Sequence, residues 1–296
     1  MIVITISVCM IVKNEAEVMA RCLDSIKNIA DEIVIIDTGS TDNTKEIARQ
    51  YTNKIYDYKW NYDFSNARNY SFSFATCDFI MWFDADDLLT KENELLLLEL
   101  KKNLDKAVDV VMMKYHVSFD ENENPTLTYF RERLLNREKN FKWTGEVHEV
   151  IIPNGTISYS DIAISHQKTK NADSERNLRI YENILDSGKK FDTRQKYYYA
   201  RELFFNKRYA RATDMFFEFL SCNDASPEYI VSACRDLASC LYRLNVEEKA
   251  LDALYTSFKY SHPHAEVCCD LGKHYIERDV LQSAMFWYKA ALLCEK

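Results

Sequence analysis

Glycine is scarce: the chain has five in 296 residues, and only Gly39 precedes Gly145. With so few, neither a G-x-G-x-x-G fingerprint nor a P-loop can be written, which excludes two common glycine-built cradles for a pyrophosphate. The stretch from Cys9 to Glu15 has no glycine either, which argues against a nucleotidyltransferase with a glycine-rich basic loop near its start. No C-x-x-C pair occurs among the nine cysteines. Several of them sit inside apolar periodic segments, so they read as reduced thiols of a cytoplasmic protein, with neither a disulfide frame nor a zinc site. Basic charge is also lacking. A formal net charge of -8 excludes a broad basic surface for nucleic acid, and the one local basic stretch (Arg131, Arg133, Arg137, Lys139, Lys142) is interrupted by Glu132 and Glu138. Long apolar runs are missing too. Met1 to Val12 is too short to span a bilayer, has no basic leader or cleavage pattern and stops at Lys13-Asn14-Glu15, so neither a signal peptide nor a transmembrane segment is expected.

What is present is ample apolar material, 47% hydrophobic and 13% aromatic, in a chain long enough for two ordinary domains. Its most informative feature is Asp84-Ala85-Asp86-Asp87, placed directly after the apolar run Asp78 to Phe83. That run reads as a buried strand, and strand alternation would put Asp84 and Asp86 on one side. Neighbouring carboxylates repel unless a cation or a shared proton offsets their charge. A hard divalent ion held by one or two carboxylates, with phosphate oxygens completing its shell, is the natural partner, and it points to a phosphate-bearing substrate. The plainer alternative is a solvated turn that caps the helix beginning near Thr90.

Ile4 to Val12 and Glu32 to Ile36 read as strands apolar on both faces, and helices are expected over Glu15 to Ile29 and Lys45 to Tyr51. Such alternation indicates a mostly parallel α/β sheet, whose ligands sit beyond the carboxyl ends of the strands. Three polar segments fall there: Lys13-Asn14-Glu15, Asp37 to Asp42, and Asp84 to Asp87. From Val108 to Ile164 strands and irregular connections are expected, with a domain boundary near Lys170.

Beyond that boundary a helical pattern repeats. Ala212, Ala250 and Ala284 each have a small residue twelve positions earlier (Ala200, Ala238, Gly272) and a large one nine earlier (Leu203, Leu241, Tyr275). Phe216, Leu254 and Tyr288 follow four positions after. Small residues let paired helices approach while large ones fill the groove to the next pair, and three such units are about the minimum for a stack. This resembles the tetratricopeptide repeat. The expected division is a catalytic domain over residues 1–170, a linking helix over 171–190 and repeats over 191–296.

Four segments of the first half, taken in order, resemble the family 2 glycosyltransferases of GT-A fold: Val8 to Glu15, Ile35 to Asp42, Ala67-Arg68-Asn69, and Trp82 to Asp87. The resemblance implies transfer of a sugar from a nucleotide diphosphate sugar, usually a UDP-sugar, with inversion and with Mn2+ or Mg2+ as cofactor. It places Asp37 on the nucleoside, with the backbone of Met10 and Ile11 beside it and Lys13, Asn14 and Glu15 in the same loop. Glu15 is equally well explained as a helix-start residue. Arg68 falls near the nucleotide, Asp84-Ala85-Asp86 on the metal and diphosphate, and His166 on a further metal or diphosphate position, the alternative being a surface histidine. Trp143 to Glu149 resembles a segment of the repeat-bearing branch, in which Glu149, then His148, is the candidate general base; a buried structural pair is the competing reading. The repeats favour a protein or peptide acceptor over a cell-surface glycan or lipid-linked one, with homo-oligomerisation as another role for them. A non-catalytic scaffold is the rival of a different class, and the retained Asp37, Asp84 and Asp86 count against it.

Overall fold

The computed structural model describes residues 3–167 and 173–294. The chain divides into two compact units, Met1–Ala172 and Asp173–Lys296; the boundary expected near Lys170 lies outside the described residues.

The first unit is built on an eight-stranded sheet in the order β3-β2-β1-β4-β7-β6-β10-β5. Its parallel block comprises β1 (Ile6–Val12), β2 (Glu32–Asp37), β3 (Ile55–Asp57) and β4 (Phe79–Trp82). The continuous apolar character of these strands has a direct cause, because both of their faces are covered. Ile6, Val8, Met10 and Met81 pack with Met19, Leu23 and Ile26 of α1 (Ala16–Ile26), Ala48 of α2 (Thr44–Ala48) and Leu97 of α4 (Lys91–Asn103). Cys9, Val34, Ile36, Ile80 and Trp82 face the other way, against Phe72 of α3 (Phe64–Phe72), Phe141, and a small ribbon formed by β8 (Trp143–Thr144) and β9 (Val150–Ile151). The remaining strands are β5 (Asp87–Leu88), β6 (Val110–Phe119), β7 (Pro125–Asn136) and β10 (Ile157–His166). β7 runs antiparallel to β4 and β6, β10 is parallel to β6, and β5 closes the edge antiparallel to β10.

At the amino end of the parallel block, Glu32 gathers Ser7, Lys54 and both the backbone and hydroxyl of Thr76. Burial opposes its charge, yet these partners prevail and hold its pKa at about 2, below the ordinary 4.5. The stability it contributes is therefore complete above pH 4.5 and is lost as pH falls toward 2. Glu32→Gln is expected to lower the melting temperature at neutral pH and to flatten its acid limb, read from thermal melts across that window.

The second unit is helical. After α5 (Arg176–Asp186) come three hairpins: α6 (Thr193–Phe205) with α7 (Tyr209–Leu220), α8 (Pro227–Arg243) with α9 (Glu247–Thr256), and α10 (Ala265–Ile276) with α11 (Leu281–Leu293). The small register residues Ala200, Ala212, Ala238, Ala250 and Ala284 are buried, as are Leu203, Leu241, Phe216 and Leu254. Gly272 shows why the position must be small: a Cβ there would lie 2.9 Å from the Tyr288 ring.

Candidate functional site

β2, β1 and β4 are adjacent and parallel, so their carboxyl ends share one edge, and three polar loops meet there. Asp37 closes β2. Its Oδ2 accepts from the backbone N–H of Gly39 and Ser40 at 3.1 and 3.0 Å, a turn that needs the positive φ of +106° at Gly39. Its Oδ1 is buried and has no hydrogen-bond partner among the described residues, an acceptor open to a ligand's N–H or O–H. The loop after β1 is stitched to the loop after β2. Ser40 Oγ accepts from Asn14 N at 2.9 Å, Asn14 Oδ1 accepts from Thr41 N at 2.7 Å, and Thr44 Oγ1 accepts from Glu15 N at 2.7 Å. Glu15 occupies the cap position of α1 without a side-chain cap bond, and Asp42 takes the Ala16 N–H instead. Lys13 is exposed. Met10 is buried in the core, so only its backbone can face a ligand, and the same holds for Ala85.

Strand β4 ends at Trp82, so Asp84 and Asp86 lie in a turn and not on alternating strand positions as the sequence suggested. The turn gives the acidic residues different neighbours. Asp84 Oδ1 accepts from Arg68 Nη2 at 2.9 Å, and Arg68 Nε donates to Glu149 Oε1 at 2.6 Å. Asp87 is completely buried, with Oδ1 2.8 Å from Tyr115 Oη and Oδ2 3.0 Å from Arg133 Nη1. His166 stands opposite Asp87 in the antiparallel β5–β10 register, its Nδ1 3.2 Å from Asp87 and 3.4 Å from Asp86. Asp86, Asp87 and His166 each offer a ligand atom within 4.8 Å of the others.

Aromatic rings hold this charge in place. The Arg133 guanidinium lies 3.5 Å from the Trp82 ring and 4.2 Å from Tyr115, Arg131 stands 4.9 Å from Trp82, and Arg68 is 4.8 Å from Trp143. Among the described residues Arg133 Nε and Nη2 have no hydrogen-bond acceptor; the π faces take that place. Helix α3 fixes the outer wall. Asn69 clamps the Trp143 backbone through both of its amide atoms at 2.9 Å, and Phe64 N donates to Glu146 O at 2.9 Å. The segment carrying His148 and Glu149 is thereby tied to the helix that carries Arg68, with His148 in the left-handed region at φ 52°.

The electrostatics of the turn are unequal. Burial opposes ionisation of Asp84, but Arg68 and Arg133 outweigh it and keep its pKa below the ordinary value. Burial above all, with Asp84 and Asp87 adding to it, pushes Asp86 up. At His166 burial opposes the imidazolium, yet the hydrogen bond to Asp87 and the surrounding carboxylates raise its pKa. Burial and the Asp87 charge keep the Tyr115 hydroxyl protonated. Among the described residues, five carboxylates (Asp84, Asp86, Asp87, Glu132, Glu149) meet three guanidiniums (Arg68, Arg131, Arg133), which leaves two negative charges when His166 is neutral and one when it is protonated. That residue set fits a divalent cation.

The profile of glycosyl transferase family 2 matches residues 7–162. The chain belongs to this family. Relatives of this glycosyltransferase family chain include a TPR repeat-containing protein of Synechococcus elongatus, 35% identical over 49% of this chain and 35% of that protein. Another is the SPbeta prophage-derived glycosyltransferase SunS of Bacillus subtilis, 32% identical over 49% of this chain and 34% of that one. The matched stretch thus spans about a third of the length of these curated relatives. A solved structure of S. aureus TarS in complex with UDP-GlcNAc aligns over 97% of this chain and 91% of that chain at 16% identity, with a TM-score of 0.44. Neither the ligand nor the chemistry of this glycosyltransferase family chain rests on so distant a likeness.

All the acidic residues singled out in the sequence lie at the strand ends. Asp84, Asp86, Arg68, Glu149 and His166 are brought together, and Asp37 sits with the Asn14 loop. Asp87, Tyr115 and Arg133 were given no role from sequence. Their visible signals were the acidic run Asp84 to Asp87 itself and an arginine, Arg133, directly before Leu134-Leu135 at the end of β7. Elsewhere the basic stretch is spent on structure: Arg137 Nε donates to Cys77 O at 2.6 Å and Lys139 lies 3.2 Å from Asp109. Among the described residues no helix is long and apolar enough to cross a membrane.

Proposed function

We propose that this chain is an inverting glycosyltransferase that moves a sugar from a UDP-sugar to an acceptor hydroxyl or thiol with Mn2+ or Mg2+. The observation that carries this reading is the acidic turn at the carboxyl edge of a parallel sheet, where Asp84 and Asp87 are paired with arginines and Asp86 faces only His166 among the described residues. Asp86 and His166 would hold the cation, with Asp84 beside them. When bound, the cation supplies Lewis-acid stabilisation of the charge growing on the departing diphosphate. Asp37 Oδ1 receives the uracil N–H or a ribose hydroxyl. Arg68 holds Glu149 by one oxygen and so orients the other toward the acceptor, which loses its proton there as its oxygen or sulfur attacks the anomeric carbon opposite the leaving group. His148 is the second candidate for that role. A protein or peptide acceptor is favoured because stacked helix pairs offer surfaces suited to extended chains. The nine free thiols support a reducing, cytoplasmic setting.

Thermal shift with Mn2+ plus UDP, other nucleoside diphosphates and UDP-sugars tests the donor class, since a ligand of the native state raises stability by mass action. UDP should shift the melt more than ADP or GDP does; equal or absent shifts would defeat the uridine assignment. Asp37→Asn places an amide where two N–H donors and the ligand need acceptors. It is expected to weaken UDP by about 10- to 100-fold, the worth of a hydrogen bond to a charged group, measurable by calorimetry.

A further inference from the structure

We propose that Asp87 is a positioning residue and not a metal ligand: it fixes His166 as the Nδ1–H tautomer and leaves the Nε2 lone pair available to a cation. This builds on the cation site proposed above. Three groups could hold an ion here, Asp86, Asp87 and His166, but they are not equivalent. Both oxygens of Asp87 are already committed. Oδ1 accepts from Tyr115 Oη at 2.8 Å and lies 3.2 Å from His166 Nδ1, while Oδ2 accepts from Arg133 Nη1 at 3.0 Å and from Asp84 N at 3.2 Å. Its side chain is 0% exposed, whereas those of Asp86 and His166 are each 26% exposed. An ion could reach Asp87 only by displacing one of these four partners, Tyr115, Arg133, the Asp84 N–H or His166 itself.

The tautomer follows from chemistry. An ionised carboxylate only accepts, so the ring nitrogen that faces it must carry the proton. Nδ1 faces Asp87 at 3.2 Å, which three other donors hold still, with Asp86 next at 3.4 Å, and Nε2 keeps its lone pair. A ligating histidine whose other N–H is donated to a carboxylate is held in orientation and made more basic, and losing that partner costs about 10- to 100-fold in metal affinity. Tyr115 and Arg133 act one step further out, by fixing the carboxylate that fixes the imidazole. The arrangement depends on the β5–β10 register that sets His166 opposite Asp87.

The test uses the full chain with 15N-labelled histidine, free of metal and at a pH where the imidazole is neutral. The His166 resonances are identified among the six histidines by their loss in His166→Ala. Wild type should show the Nδ1–H tautomer. In Asp87→Asn, Arg133 retains the amide oxygen and the NH2 group turns to His166 as a donor, so the ring should switch to Nε2–H and Mn2+ binding, followed by electron paramagnetic resonance, should weaken by 10- to 100-fold. Tyr115→Phe removes one hydrogen bond without reversing the partner of His166, so it should keep the tautomer and stay within a few-fold of wild-type affinity. An Nε2–H tautomer in wild type overturns the proposal, as does an Asp87→Asn protein that loses Mn2+ with its tautomer unchanged, because Asp87 would then be a ligand. Should Asp87→Asn not fold, wild type and Tyr115→Phe decide the matter. Wild type with the expected tautomer but no Mn2+ binding overturns the cation site and leaves the orienting role of Asp87 standing.

Discussion

Asp86→Ala is expected to lower the rate of sugar transfer by a hundredfold or more at saturating donor and Mn2+, while leaving the melting temperature unchanged or raising it. The two halves of this expectation share a cause. Asp86 has no ion pair with a lysine or arginine among the described residues: burial and its two acidic neighbours push its pKa up, and the cationic partner that faces it is His166. Removing it relieves repulsion in the folded protein, a small gain. The same removal takes away a contact to charge that grows in the transition state, and single contacts of that kind are typically worth 100- to 1,000-fold in rate. Initial rates and thermal melts on the same preparation read both quantities. Near-normal transfer by Asp86→Ala would remove the cation from the mechanism, and a large loss of stability would make Asp86 a structural residue.

Arg133→Met carries the largest expected effect on stability, about 3–5 kcal/mol, from equilibrium urea unfolding. Both Arg133 and Asp87 are 0% exposed and lie 3.0 Å apart. Methionine fills much of the volume but leaves Asp87 as an uncompensated charge in the core, the situation in which breaking a buried pair is most costly. The double variant Arg133→Met/Asp87→Asn should lose less than Arg133→Met alone, because the stranded charge is gone. A single variant within 1 kcal/mol of wild type would show that Asp87 finds another partner and that the aromatic box around Arg133 does not depend on its charge.

The parts of this fold that could be read in the chain are those whose cause is local. β1, β2 and β4 are apolar on both faces because both faces are covered, and that pattern needs no partner to be seen. The polar stops after them, Asn14, Asp37 and Asp84, mark the edge where ligands sit in such sheets. The helical register Ala212, Ala250, Ala284 was visible because each hairpin repeats the same packing. What could not be read depends on pairings between distant segments. Strand alternation suggested that Asp84 and Asp86 share a face; the turn that follows Trp82 instead sends Asp84 to Arg68 and Asp86 to His166. Arg133 reaches Asp87 only because β7 lies antiparallel between β4 and β6, and nothing in the run from Arg131 to Leu135 announces that register. Glu149 meets Arg68 only because Asn69 and Phe64 of α3 clamp the 143–149 segment.

The central claim is that the Asp84–Asp87 turn holds a divalent cation against the diphosphate of a bound nucleotide. Crystals grown with UDP and Mn2+, measured for anomalous scattering, test it most directly. The account predicts one manganese peak in contact with Asp86 and His166 and next to the UDP phosphates, with the uracil within hydrogen-bond reach of Asp37 Oδ1. UDP bound elsewhere, or bound at this edge with no manganese peak beside Asp86, would contradict it.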